Sequence, residues 1–411
     1  MNCIHNHSTI MLSPSAIRIG LIAISPSLLF AQPARAENGD GFYITAGAGF
    51  QHDDNVFRTA SNDPAGRSRQ SDDITTSSVG LKWDKSYSLQ RFQIEGNVVD
   101  YRYRSLDNLN FTAHNYSAAW RWNVTPSVHG NLSADRKESL SSFADFTGYG
   151  VRNIRTEENR HFDAVFEVTG GWRLLAGANR QKLSNSELFI EEGDTQLDTV
   201  EGGARYDFRS GSSLGYVMRT GRGEYFNRHE PLPATQLDNR FDQREHEMRL
   251  VWPITAKTTF DVRAGYLERD HAHFSDRDYS GSYGNFDVTW DVTEKTSVMA
   301  GVGREMNSYQ SAYSSYAISD RFSVSPLWQI TAKTALRGRY DYIRRDYRGA
   351  ISDSPLIGRS DTIQAALIAL EWQPLRTVLL SASLQNGRRS SNRDGFDYHN
   401  TIAGVSARLA F

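Results

Sequence analysis

One short turn is written four times into the second half of this sequence. It reads Trp252-Pro253-Ile254-Thr255-Ala256-Lys257-Thr258, then Trp290-Asp291-Val292-Thr293-Glu294-Lys295-Thr296, then Trp328-Gln329-Ile330-Thr331-Ala332-Lys333-Thr334, and more loosely Trp372-Gln373-Pro374-Leu375-Arg376-Thr377. The tryptophans recur at intervals of 38, 38 and 44 residues. Earlier turns follow Trp83 and Trp122, lie beside Trp172, and fall at Ser210-Gly211-Ser212-Ser213. Between turns the pattern alternates with period two. Phe92, Ile94, Gly96 and Val98 oppose Gln93, Glu95 and Asn97; Phe260, Val262, Ala264 and Tyr266 oppose Asp261 and Arg263; Leu336, Gly338, Tyr340 and Tyr342 oppose Arg337, Arg339, Asp341 and Arg345. Such a strand has one apolar face and one wet face. Alternation alone also fits a soluble sandwich. A sandwich, however, has no reason to set tryptophan at one end of nearly every hairpin, whereas a membrane boundary does, because the indole suits the headgroup level.

The opposite ends of the hairpins differ. The stretches 57–71, 141–154, 226–241, 349–359 and 388–395 are longer, polar and rich in Gly, Asp, Asn, Ser and Arg. Eight short turns join sixteen strands, and an unpaired first strand near Phe42 to Asn55 and an unpaired last one make 18. The pattern predicts an all-β chain: a single closed antiparallel transmembrane β-barrel of about 18 strands, or 16 if the terminal pair fails, with short periplasmic turns and long extracellular loops. Its last strand places Ala403, Val405, Ala407, Leu409 and Phe411 on one face. A terminal Phe after alternating apolar residues resembles the signal read by the barrel-assembly machinery, although Ser406 stands where glycine is expected.

Composition agrees. Of 411 residues, 39% are hydrophobic and 23% charged, which suits strands that meet lipid only at alternate positions. The net charge of -2 gives no basic excess for nucleic acid. Ile17 to Phe30 is mostly apolar and leads to Ala34-Arg35-Ala36 before Glu37, a small-x-small cleavage site. Residues 1–36 therefore read as a secretory signal peptide, with Met1 or Met11 as its start, and 37–411 as the barrel. The one cysteine, Cys3, lies in the leader, so the mature chain carries no disulfide, redox or cysteine metal chemistry. Beyond the leader the longest apolar run is Ala365 to Leu370, far short of the roughly 20 residues a membrane helix needs.

Catalytic chemistry is nearly absent from the pattern. His271-Ala272-His273 with Asp270, Asp276 and Asp278 could be drawn as a metal site, but reads better as a solvated loop, since nothing spaces those groups as ligands. No nucleophile motif stands out, and Gly221-Arg222-Gly223 and Gly301-Val302-Gly303 read as strand glycines. The expectation is a non-enzyme without cofactor or metal. What remains distinctive is the inward face. Glu95, Glu247, Asp261, Arg263, Arg337, Arg339, Asp341 and Arg345 alternate there, either as hydrated and mutually paired wall charges or as the lining of a path for a polar polymer. Barrels of 16 to 18 strands leave an aqueous channel.

The segment 46–58, Ala-Gly-Ala-Gly-Phe-Gln-His-Asp-Asp-Asn-Val-Phe-Arg, resembles the opening strand of the EpsL-type exopolysaccharide-biosynthesis outer-membrane proteins, a β-barrel porin family. Leu81-Lys82-Trp83-Asp84-Lys85 with Gln90-Arg91-Phe92, and Asp135-Arg136-Lys137 through Ser141-Ser142-Phe143-Ala144-Asp145-Phe146, carry the same resemblance. It implies a Gram-negative outer-membrane location and a role in exopolysaccharide export or assembly. Its expected partners are outer-membrane lipid, the assembly machinery at Phe411, the polymer, and periplasmic or inner-membrane synthesis components. No catalytic residues come with it. The alternatives are a general solute porin, or a structural barrel whose loops bind at the cell surface.

Overall fold

The computed structural model describes residues 41–144, 150–233, 236–311, 314–350 and 357–411; the expected leader, 1–36, lies outside the described residues. Strands β1 to β6 span Gly41–Asp53, Asp72–Tyr87, Gln90–Tyr103, Phe111–Thr125, Val128–Leu140 and Ile154–Glu167. Strands β7 to β12 span Trp172–Asn185, Thr195–Asp207, Ser213–Glu224, Arg240–Thr255, Thr258–His271 and Tyr279–Thr293. Strands β13 to β18 span Thr296–Ser311, Ser314–Thr331, Thr334–Arg348, Ser360–Leu375, Val378–Ser391 and Tyr398–Ala410. Each pairs antiparallel with its sequence neighbours, and β1 closes the ring by pairing with β18. Phe411 N–H donates to the Ile44 carbonyl at 2.9 Å and Ile44 N–H to the Phe411 carbonyl at 3.0 Å. A closed ring leaves no strand edge unpaired. No helix among the described residues is long and apolar enough to cross a membrane.

The faces are inverted relative to a soluble protein. Val79, Leu81, Ile94, Met248, Ile368 and Val405 are large, apolar and exposed on the outside, whereas Gln243, Glu247, Asp361 and Arg389 are buried on the inside. A continuous apolar exterior of this kind needs hydrocarbon, not water, as its solvent.

Registers at the turn end explain the repeated motif. Pairing slips between Pro253 and Thr255, between Asp291 and Thr293, and between Gln329 and Thr331. In each slip the threonine hydroxyl accepts from the lysine N–H two residues on, at 3.1 Å for Thr255, 3.2 Å for Thr293 and 3.1 Å for Thr331. A side-chain turn of this type fixes the chain reversal without glycine. Each lysine carbonyl then accepts from the next hairpin: Asp291 N–H on Lys257, Gln329 N–H on Lys295, Gln373 N–H on Lys333. The motif thus ties adjacent hairpins in register as well as turning the chain.

All eight tryptophans lie within five residues of the turn-side end of their strands, so Trp120 joins the seven anticipated from the turn motif. Their rings stack on neighbours: Phe92 on Trp120 with centroids 5.8 Å apart, Trp122 on Phe162 at 5.9 Å, Trp172 edge-on to Tyr206 at 5.1 Å. Gly130 makes room for one of them. A Cβ there would lie 2.0 Å from the Asp163 carbonyl oxygen and 2.6 Å from the Trp122 ring. Gly130→Ala is expected to cost about 1–3 kcal/mol from overpacking, while Gly202→Ala, whose Cβ would meet nothing within 4 Å, should be near neutral. Urea midpoints of the two variants in lipid vesicles check the contrast; similar midpoints would contradict this packing.

Candidate functional site

The eight residues expected on the inner wall fall into three groups. On β15, Arg337 Nε donates to Glu371 on β16 at 2.8 Å, Arg339 Nε to Asp341 at 2.6 Å, and Arg345 Nε to the Ser319 hydroxyl at 3.3 Å. Asp341 also takes Arg321 from β14, at 2.5 Å. On β10 to β12, Glu247 is fully buried between Arg219 and Arg249, and Arg263 Nε donates to Asn285 at 2.6 Å. Asp261 stands opposite Asp287 in the pairing of β11 with β12. Glu95 stands apart on β3, seven strands from β10 around the ring. The eight therefore form three clusters around the ring.

The densest patch was only partly visible beforehand. Arg219 on β9 reaches Glu201 on β8 at 2.6 Å, Glu245 at 3.2 Å and Glu247 at 3.4 Å. The Tyr283 hydroxyl donates to Glu245 at 3.1 Å and Glu247 at 3.0 Å. Gln243 joins Glu245 to Arg269, whose guanidinium lies 4.0 Å over the Phe241 ring. Arg219 and Glu201 alternate in phase with their strands, which was a usable signal, but their partnership needs the register.

At the loop end, loops from different hairpins pack on one another. Val56 from the β1–β2 loop, Leu109 from the β3–β4 loop and Phe143 from the β5–β6 loop form one buried cluster, with Phe57 edge-on to Phe143 at 4.8 Å. A second assembly reaches across the ring. The one-turn helix α1, Ile190–Gly193, in the β7–β8 loop lies against β13, six strands away. Arg228 donates to the Glu191, Glu192 and Asp238 carbonyls, and the fully buried Arg277 donates to Gln236 O at 3.1 Å and Ser314 O at 2.9 Å. Near the seam, Arg359 pairs with Asp361 at 2.5 Å and stacks 3.7 Å over Phe396.

Most of the histidine segment is the solvated loop expected, with Asp270, Ala272, His273 and Asp276 exposed. His271 is the exception, buried with its Nδ1 3.2 Å from Asp278, while the exposed His273 places its Nδ1 3.0 Å from the buried Asp238. The two rings go to different carboxylates. Beside them Arg277 and Asp238 are buried, as arginine and aspartate can be once donors find a carbonyl or carboxylate.

Asp238 gives this cover a pH dependence. Burial opposes its charge, but hydrogen bonds from the His273 ring and from the backbone N–H groups of His273, Arg240 and Phe274 outweigh it and hold its pKa below the ordinary 3.8. A depressed carboxylate contributes stability above its ordinary value and loses it as pH falls through the depressed one. Burial instead raises Asp278 and Asp194, so their protonation in acid works the other way. Amide protection factors at 236–239 and 272–274 are therefore expected to hold down to about pH 4 and to fall below it. The acid step should vanish in Asp238→Asn; its persistence there would contradict the assignment.

Beneath the first loop cluster lies a cavity of about 470 Å³ against β1 to β5. Its upper wall includes Tyr101, Tyr103, Phe111 and Phe143, and its lower wall Glu95, Asn97, Asn115 and Lys137.

A family model described as "Putative beta-barrel porin 2" matches residues 251–411. No curated protein matches the chain. Among solved structures, the outer membrane protein OpdK of Pseudomonas aeruginosa is 12% identical, with a TM-score of 0.51, over 91% of this chain and all of that one. A second structure of that protein, OccK1 (OpdK), gives 0.50 at the same identity and coverage. A BenF-like porin from Pseudomonas fluorescens Pf-5 is also 12% identical, with a TM-score of 0.49, covering 91% of this chain and 99% of that one. The chain is a porin-like β-barrel of the Gram-negative outer membrane. The turn end of this porin-like barrel thus faces the periplasm and the loop end the exterior, as short turns and long loops require. The likeness to OpdK carries the fold; the EpsL-type specificity expected from the opening strand is not shown.

Proposed function

We propose that this porin-like barrel is a non-enzymatic channel for small polar solutes, and that exopolysaccharide export is not its task. The observation that carries the reading is the cover over the mouth. Loops at the exterior end pack on one another, α1 crosses to β13 and buried arginines such as Arg277 pin the loops; a mouth built this way suits small solutes better than a polymer chain. The wall beneath is polar and largely self-paired, so it hydrates a passing solute without gripping it, and conduction needs binding weak enough to release. The structural likeness to porins supports the same reading. Residues 1–36 would then direct export and be removed, and Phe411 would be read by the assembly machinery.

Liposome swelling tests it. Vesicles carrying the purified protein are expected to swell in amino acids and monosaccharides and to resist long oligosaccharides. Deleting the gene should leave secreted polymer at wild-type amounts. Loss of secreted polymer, with synthesis intact, would favour the export role that the EpsL-type resemblance implies.

A further inference from the structure

The cavity under the β1–β2 and β5–β6 loops is amphipathic in an ordered way. Pairing sets Glu95 beside Ser117, and one row further out Asn97 beside Asn115, with Lys137 continuing that row on β5. Beyond them come Val99 with Ala113, then Tyr101 with Phe111, whose rings stack at 4.5 Å and 5°. Phe143 lines the same space from the β5–β6 loop. One end is therefore charged and amidic, the other aromatic.

The charges themselves select a ligand. Asp53 is paired with Arg58 at 2.9 Å and Glu138 with Arg136 at 2.5 Å. Glu95 and Lys137 also line the cavity, yet among the described residues neither takes a hydrogen-bond or ion-pair partner. They stand two strands and one row apart, on the order of 12 Å between backbones by strand spacing, and both side chains extend into the gap. A single ion would satisfy one and leave the other. A volume near 470 Å³ is within the usual range for a small-molecule site.

We infer that this cavity binds a small zwitterion with an apolar ring, its ammonium at Glu95, its carboxylate at Lys137 and its ring against Tyr101, Phe111 and Phe143. An aromatic α-amino acid is the simplest member of the class. The inference rests on the channel reading for its use in uptake, but binding and permeation are separable. Liposome swelling can fail while the site still binds, and the site can fail while solutes still pass.

Calorimetry on the full barrel in detergent micelles tests it, with heat-modifiable gel migration confirming that each variant is folded. The probes are phenylalanine, phenethylamine, 3-phenylpropionate and glycine. Phenylalanine is expected to bind about tenfold or more tightly than each of the others, since each lacks one charged contact or the ring. Glu95→Gln should bring phenylalanine down to the level of 3-phenylpropionate, and Lys137→Gln to that of phenethylamine. Phe143→Ala should weaken all ring-bearing probes together. If 3-phenylpropionate or phenethylamine binds as tightly as phenylalanine, or if both charge variants leave phenylalanine unchanged, the zwitterion assignment is overturned.

Discussion

Val262→Arg is expected to lower the folding stability of the barrel by about 2–4 kcal/mol, and Arg263→Gln, one residue along, by far less. Val262 pairs with Leu250 on one side and Phe286 on the other, and Phe286 is exposed on the outer surface. It lies four residues above the level where Thr258 meets Trp290, well inside the hydrocarbon band that begins at the tryptophan ring. A guanidinium there must either enter hydrocarbon or bend a long way to leave it. Arg263 points to the opposite face, where an amide, Asn285, is among its partners. Glutamine keeps a donor for that amide, and the charge it removes faces lumen water rather than hydrocarbon. Urea unfolding in lipid vesicles measures both; equal losses would mean that the two faces have been exchanged.

Arg219→Met is expected to cost about 3–5 kcal/mol, because one guanidinium holds three carboxylates. Glu201, Glu245 and Glu247 all lie within 3.4 Å of it, and Tyr283 can satisfy only part of the pair on β10 once it is gone. The burial that makes the patch rigid also makes a lone partner expensive. Arg104→Met is the control. Its partner Asp73 is 3.1 Å away, but Arg104 lies in the β3–β4 loop and its side chain is 76% exposed, and such a pair is worth under about 1 kcal/mol. The same unfolding assay reads the difference, and comparable losses at Arg219 and Arg104 would show that the Arg219 patch is hydrated.

The strand number and the facing of each strand were legible because lipid imposes them. Every second residue from Met248 to Trp252 must be apolar, and every tryptophan turn marks one boundary. The wall charges were legible one strand at a time: Arg337, Arg339 and Asp341 show their side by parity. Their partners were not, since Glu371 and Arg321 come from other strands and join them only through the register. Arg219, Glu201 and Glu245 were missed for the same reason, and Glu247 was expected on the wall but without its partner, the three glutamates being 18, 26 and 28 residues from Arg219. The cover over the mouth was hidden more deeply. Gly, Asp, Asn and Arg compose a solvated loop and a buried, fully hydrogen-bonded one equally well, so nothing local distinguishes Arg277, with no exposed surface, from an arginine in water. The resemblance of the opening strand pointed to a β-barrel correctly, while the polymer it implied drew on no residue of the mouth.

Single-channel recording in planar bilayers is the most direct test of a covered but conducting barrel. Wild-type protein is expected to give small, discrete, ohmic steps. Arg277→Ala, which frees the β11–β12 loop from Gln236 and Ser314, should give larger and noisier ones from an equally folded barrel. Steps of the same size in both would contradict the placement of these loops over the passage, and silence from both would contradict the channel itself.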